Sequence, residues 1–122
     1  MPSGIGHALY QDKQYAEAIS FFSFLSLYEP ANPIYYAAVA ACRKVLKQYS
    51  EAIYQYKLAS LVEAEEAKQL GYVLKMIECH IANGDIAVAT QALKQFLTLK
   101  LNYSPAVNHI KKAARNWLDV LR

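Results

Sequence analysis

Three histidines and two cysteines, His7, His80, His109, Cys42 and Cys79, are the side chains here with the most chemistry to offer. An imidazole moves protons or ligates a metal, and a thiolate is a nucleophile or a metal ligand. Their spacing serves none of these. The histidines fall in three different predicted helices. Cys79 and His80 are sequence neighbours, so on a helix their side chains diverge by roughly 100°. No run matches a zinc-ligand pattern, a phosphate-binding glycine loop or a serine nucleophile motif. The residues therefore imply no metal, no cofactor and no catalytic site, and they point away from an enzyme. The bland reading of Cys42 is a small core residue, and that of His80 a helix-packing one.

The remaining chemistry is recognition. Ten tyrosines and a hydrophobic fraction of 55% exceed what a small, surface-rich chain needs for its core, which suggests an apolar surface kept for a partner. Net charge is +3 with the signs interspersed. The basic spots, Arg43-Lys44 with Lys47 and Lys111-Lys112 with Arg115, read as solvated helix faces rather than a nucleic-acid footprint. No apolar run approaches the ~18 residues of a membrane span, and no secretory signal is visible. That predicts no membrane insertion and reduced, unpaired thiols.

The elements that would carry such a surface are set by a repeat. Tyr15-Ala16-Glu17-Ala18-Ile19 precedes Tyr49-Ser50-Glu51-Ala52-Ile53 by 34 residues, the period of the tetratricopeptide helix pair. Its pattern of aromatic, apolar-small pair, aromatic, small, aromatic and proline is met by Pro2, Ile5-Gly6, Leu9, Ala18, Phe22 and Pro30. The second copy offers Tyr36, Val39-Ala40, Arg43, Ala52, Tyr56 and Ala64. A weaker third offers Val73, Met76-Ile77, His80, Ala89, Leu93 and Leu101. Ala52 and Ala89 are 37 apart, which places a three-residue insertion around Glu63 to Lys68. The prediction is an all-α tetratricopeptide solenoid in one domain, with three helix pairs at about 1–32, 33–66 and 70–102 and a capping helix at about 104–121. Gly6 allows close backbone approach in the first helix, expected over Ile5 to Lys13. Asn83-Gly84 stops the fifth. Ser104-Pro105 starts the last. The sequence Ala64-Glu65-Glu66-Ala67 favours helix, so the chain is expected to bend rather than stop between the fourth and fifth helices.

In a stacked array the first helix of each pair lines the groove. The register assigns Ser3, His7, Tyr10 and Gln11 to it from the first copy. The second copy supplies Ile34, Ala37, Ala41, Lys44 and Val45, and the third Gly71, Leu74, Glu78 and Ile81. Such a floor is small and apolar. The Lys, Asn and Arg clamp by which other repeats hold a C-terminal carboxylate is missing at its centre, where Ala38 and Ala41 stand. An extended peptide with spaced apolar anchors fits better.

Ala41-Cys42-Arg43, Gln48-Tyr49-Ser50-Glu51-Ala52-Ile53 with Tyr56, and Glu78-Cys79-His80 with Asn83-Gly84-Asp85 and Ala89 resemble the class II chaperones of bacterial type III secretion, the SycD/LcrH-like translocator chaperones. The resemblance runs from about Ile5 to Leu101. It implies a cytoplasmic, non-enzymatic bacterial protein that takes an extended apolar segment of a secreted translocator into its groove and keeps that client soluble and secretion-competent. Family members usually carry a helical segment before the first repeat, often used in dimerisation, whereas this chain begins almost inside that repeat. The expectation is a monomer or a weak homodimer. Two other readings stay open: a chaperone of a needle or other secreted subunit, and a general scaffold joining folded proteins.

Overall fold

The computed structural model describes residues 2–122, with side chains from Gly4 onward. Seven helices follow one another: α1 (Pro2–Gln11), α2 (Tyr15–Tyr28), α3 (Pro33–Val45), α4 (Tyr49–Val62), α5 (Glu66–Ala82), α6 (Ile86–Thr98) and α7 (Pro105–Leu121). No strand occurs among the described residues. The first helix starts at Pro2, ahead of the expected Ile5. Each helix packs on the next through α6, and α7 packs on both α5 and α6.

The repeat register is the packing register. Ala18, Ala52 and Ala89 are all fully buried, and so, or nearly so, are Phe22, Tyr56 and Leu93 four residues on. A Cβ added at Gly6 would overlap the Phe22 ring, so α1 sits against α2 only because that position has no side chain. The core falls into three clusters. Ala18, Phe22, Tyr35, Val39 and Cys42 join α2 to α3. Ala40, Ala52, Tyr56 and Cys79 join α3, α4 and α5. A third cluster, with Leu70, Leu74, Ile77, Leu93 and Phe96, joins α5 and α6 to Val107, Ala114 and Leu118 of α7. This is the nearest-neighbour burial of a stacked array.

Local chemistry starts and stops the helices. The Asn32 side chain accepts from the Ile34 N–H, and Ser104 accepts from the Val107 N–H, each with Pro at the next position. All three turns within helix pairs close alike. Lys13, Lys47 and Gly84 have φ of 61°, 60° and 86°. The following N–H reaches back five residues, from Gln14 to the Leu9 carbonyl at 2.8 Å, Gln48 to Arg43 at 2.8 Å and Asp85 to His80 at 2.9 Å. This is the Schellman closure, which favours glycine at the left-handed residue.

Between α4 and α5 the chain stops instead of bending. Glu63 and Glu65 are extended, and the Glu65 N–H donates to Glu63 Oε2 at 3.2 Å. An α4 prolonged over these acids would end with them at its negative C-terminal end, whereas Glu66 in the first turn of α5 meets a positive end. Gln69 Nε2 donates to the Ser60 carbonyl at 2.9 Å and ties the two helices across the break.

Two of the three turns hold a lysine in the left-handed region, at a cost of about 1–2 kcal/mol. Lys13→Gly and Lys47→Gly should each stabilise the fold by about 0.5–1 kcal/mol after the larger chain entropy of glycine is counted. Gly84→Ala should destabilise it by about 1 kcal/mol. Urea unfolding followed by circular dichroism measures all three; a loss of stability in both glycine variants would contradict the turn geometry.

Candidate functional site

The groove face is built by α1, α3 and α5, and it holds two clefts, one on each side of α3. The first has a volume of about 310 Å³ and lies between α1 and α3, walled by Gly6, His7, Tyr10, Ile34, Ala38 and Ala41, with Phe22 of α2 behind them. Tyr10 is held edge-on against Tyr15, ring centroids 5.3 Å apart. The second cleft, about 390 Å³, lies between α3 and α5 and is lined by Ala37, Tyr56, Lys68, Gly71, Tyr72 and Lys75. The sequence register thus brings His7, Tyr10, Ile34 and Ala41 together in one cleft and puts Ala37 with Gly71 in the other. Lys44 is half-buried near the C-terminal end of α3, and Val45 is exposed beside it. The Ser3 side chain lies outside the described residues.

The third copy departs from expectation. Leu74 does not face the groove; it is 8% exposed, in the cluster that α5 and α6 form with Val107, Ala114 and Leu118 of α7. Ile81 packs against the same cluster. Glu78 accepts the Trp117 Nε1–H of α7 at 3.0 Å. Of the four third-copy positions that the register assigned to the groove, Leu74, Glu78 and Ile81 are thus engaged on the α7 side and only Gly71 stays in a cleft, so Leu74 cannot serve as a wall for a ligand. Gly71 and Lys75, one turn or less from Leu74, take that place. Tyr56, Lys68, Tyr72 and Lys75 were not predicted. Tyr56 reaches the cleft from α4, where the repeat pattern reads it only as packing. Lys68, Tyr72 and Lys75 belong to the α5 face that is left when α7 takes the other.

The electrostatics of the floor follow from burial. Burial raises the pKa of the Cys42 thiol, opposed by Arg43. It also raises that of Cys79, opposed chiefly by Lys44 and less by Lys75. Tyr56 is pushed well above the usual phenol range by burial, helped by Cys79 and Glu78. These groups are neutral at neutral pH, so the floor is apolar in charge as well as in composition. Around it lie two ion pairs, an exposed one between Lys68 and Glu65 at 2.7 Å and one between exposed Lys75 and half-buried Glu78 at 3.4 Å. Among the described residues no group of three or more His, Cys, Asp or Glu is placed to hold a metal, and no helix is long and apolar enough to cross a membrane.

This arrangement of helices occurs in known proteins. SycD of Yersinia enterocolitica, solved in complex with a peptide of the translocator YopD, superimposes with a TM-score of 0.77 at 21% identity, over 98% of this chain and 88% of that one. The fold is that of the type III secretion translocator chaperones. PcrH of Pseudomonas aeruginosa, in complex with the chaperone-binding region of PopD, matches with a TM-score of 0.75 at 21% identity, over 98% of this chain and 87% of that one. In sequence, the Low calcium response locus protein H of Yersinia pestis is 25% identical over 84 residues, 69% of this chain. This chain spans 48% of the length of that curated relative, about half. No family model matches the chain.

Burial of the two thiols and of Tyr56 makes a pH dependence. Their pKa values are higher folded than unfolded, so the unfolded chain loses protons first as pH rises. Their contribution to stability is complete below the unfolded thiol pKa of about 8.5 and declines above it, the thiols first and Tyr56 from about pH 10. The melting temperature should be level from pH 7 to 8 and fall steadily above pH 9, and at pH 8 iodoacetamide should label both cysteines far faster in guanidinium than in buffer. Equal labelling rates in the two solvents would place the thiols at the surface.

Proposed function

We propose that this chain is a cytoplasmic, non-enzymatic chaperone of type III secretion that holds an extended apolar segment of a secreted translocator in the groove of α1, α3 and α5. The observation that carries this reading is the pair of apolar clefts flanking Ala37, Ala38 and Ala41 on α3. Alanines on a rigid helix leave space for side chains that are not their own. An extended peptide crossing α3 would place one apolar side chain in each cleft. Helices pack 8–10 Å apart and a strand advances about 3.3 Å per residue, so roughly three residues carry a peptide from one cleft to the next. The complexes named for SycD and PcrH are with translocator segments, which favours that client over a needle subunit. A scaffold between folded proteins would call for polar recognition positions along α3, where the alanines stand.

Magnitudes agree with a holding role. Each buried anchor contributes about 1.5–3 kcal/mol before the cost of ordering the peptide. Two anchors with some backbone hydrogen bonds give a Kd of roughly micromolar order, tight enough to shield a client and weak enough to release it. The same apolar face, when empty, is where weak self-association would begin.

The test uses peptides tiled across the secreted proteins encoded beside this chain, titrated calorimetrically. Ala41→Glu should weaken binding by at least about tenfold, because it fills the first cleft and puts a charge where an apolar group must go. Glu is a good helix former, so the fold should persist. Tyr10→Ala, which removes one wall, should cost less. Lys112→Glu, exposed on α7, should change nothing. Undiminished binding by a folded Ala41→Glu protein would remove the groove from the mechanism and bring the scaffold reading forward.

A further inference from the structure

The chain has four glycines, and the fold accounts for three. Gly6 lets α1 come against the Phe22 ring, and Gly84 takes the left-handed residue of a turn. Gly4 lies in the first turn of α1, where a poor helix former costs little. Gly71 fits none of these cases. It lies well inside the 17-residue α5, where glycine is less favourable than alanine because it loses more backbone freedom on folding. It is not at positive φ, and a Cβ built on it would meet nothing within 4 Å. No neighbouring helix and no turn requires the missing side chain.

What a side chain at this position would enter is the second cleft. Gly71 lines it together with Ala37, Tyr56, Lys68, Tyr72 and Lys75. Lys68 precedes Gly71 by one turn and Lys75 follows it by one, on the same face of α5. The glycine is therefore the floor of a slot whose two ends are lysine stems, roughly 10 Å apart along the helix. The repeat supplies an internal comparison. The offset of 37 residues that relates Ala52 to Ala89 also relates Ile34 to Gly71, and Ile34 is a wall of the first cleft. One register position thus carries a branched side chain in the first cleft and none in the second. The second is the larger, about 390 against 310 Å³.

We propose that Gly71 determines specificity in the groove: by omitting a side chain it keeps the second cleft deep enough for a large apolar residue of the bound segment, the size of Leu, Met or Phe, at the expense of helix stability. This rests on the reading of the groove as a peptide site. A small residue there would leave the slot unfilled and forfeit its contacts. A large one lies over the Gly71 backbone, and the lysine stems cover its ends while their ammonium groups stay in water. The first cleft keeps its own preference, because Gly71 does not line it.

Stability and binding should move in opposite directions. Gly71→Ala should raise the melting temperature by about 2–5 °C; no rise would mean that the fold itself uses the glycine and would overturn the proposal. A phage-displayed library of random decapeptides, selected on the parent chain, supplies the binding probe. Its binders should carry two apolar positions, one of them Leu, Met or Phe. In synthetic versions, read by fluorescence anisotropy, Gly71→Ala should weaken binding about three- to tenfold, and Gly71→Leu by at least about tenfold. Shortening the large anchor to Ala should weaken binding to the parent about tenfold and change binding to Gly71→Leu little, a coupling that a merely structural role would not produce. Leu is a good helix former, and Gly71→Ala carries the same test should the larger substitution disturb the fold. Binders that Ala41→Glu abolishes, but that the parent and both Gly71 variants hold equally, would overturn the role of Gly71 and leave the groove intact. Binders indifferent to Ala41→Glu, or no binders at all, would overturn the groove, and the role of Gly71 with it.

Discussion

A helix pair in this chain cannot bury its own apolar face, and every pair depends on its neighbour coming close. Small side chains at the crossings allow that approach. Ala18, Ala52, Ala59 and Ala89 are fully buried, and Gly6 lies directly against the Phe22 ring. Larger residues at these points would push the helices apart and forfeit the dispersion contacts of the aromatic residues that follow. The groove is a consequence of the same choice. Where small residues of α3 meet another helix they draw it in, as Ala40 does; where they face outward, as Ala37 and Ala41 do, they leave clefts on either side. Stability and recognition use one feature of the sequence on different faces of one helix.

Much of this was legible because it is periodic. The pairing of alanine with a large apolar residue that recurs at Ala18 and Phe22, Ala52 and Tyr56, and Ala89 and Leu93 is a local pattern with a tertiary meaning, and all six side chains are buried. The Ala41-Cys42-Arg43 run and the Gln48 turn also belong together physically: Cys42 is core, and Arg43 Nη1 donates to Gln48 Oε1 at 2.7 Å, tying the helix end to its turn. What the period could not tell was the place of α7. Leu74 has the register of Ala37, so a repeat-based reading assigns both to the groove. The difference is in a helix that begins only at Pro105, with Trp117 and Leu118 on its inner side. A large leucine where the other copies carry small or polar groups was the one local signal. The break at Glu63 to Glu65 was misread for a related reason, since helix propensity ignores which end of a helix an acid would occupy.

The capping helix therefore does more than close the array. By covering Leu74, Glu78 and Ile81 it ends the groove at α5 and leaves the face of Gly71, Tyr72 and Lys75 as the last wall. Its polar side, with Lys112 and Arg115, faces solvent, as the end of a solenoid requires. The groove is thus a two-cleft surface centred on α3, with α1 and α5 as its sides. A segment that reads this surface is short, and its specificity has to come from which side chains it places at few positions.

The two sides differ in how firmly they are held. α5 is packed by α4, α6 and α7, whereas α1 rests on α2, through the Gly6–Phe22 approach, and faces α3 across the first cleft. A side chain entering that cleft would touch α1 through His7 and Tyr10 and α3 through Ile34 and Ala41, replacing solvent with apolar contact on both. Binding there and docking of α1 are then linked, because a ligand that needs α1 in place stabilises the state in which it is in place. Among the described helices α1 packs chiefly on α2, and a helix with few packed neighbours opens at low cost. Placing half of the recognition surface on it makes the cleft adaptable to different apolar side chains, while α3 and α5, both packed on α4, keep the register of whatever lies across them.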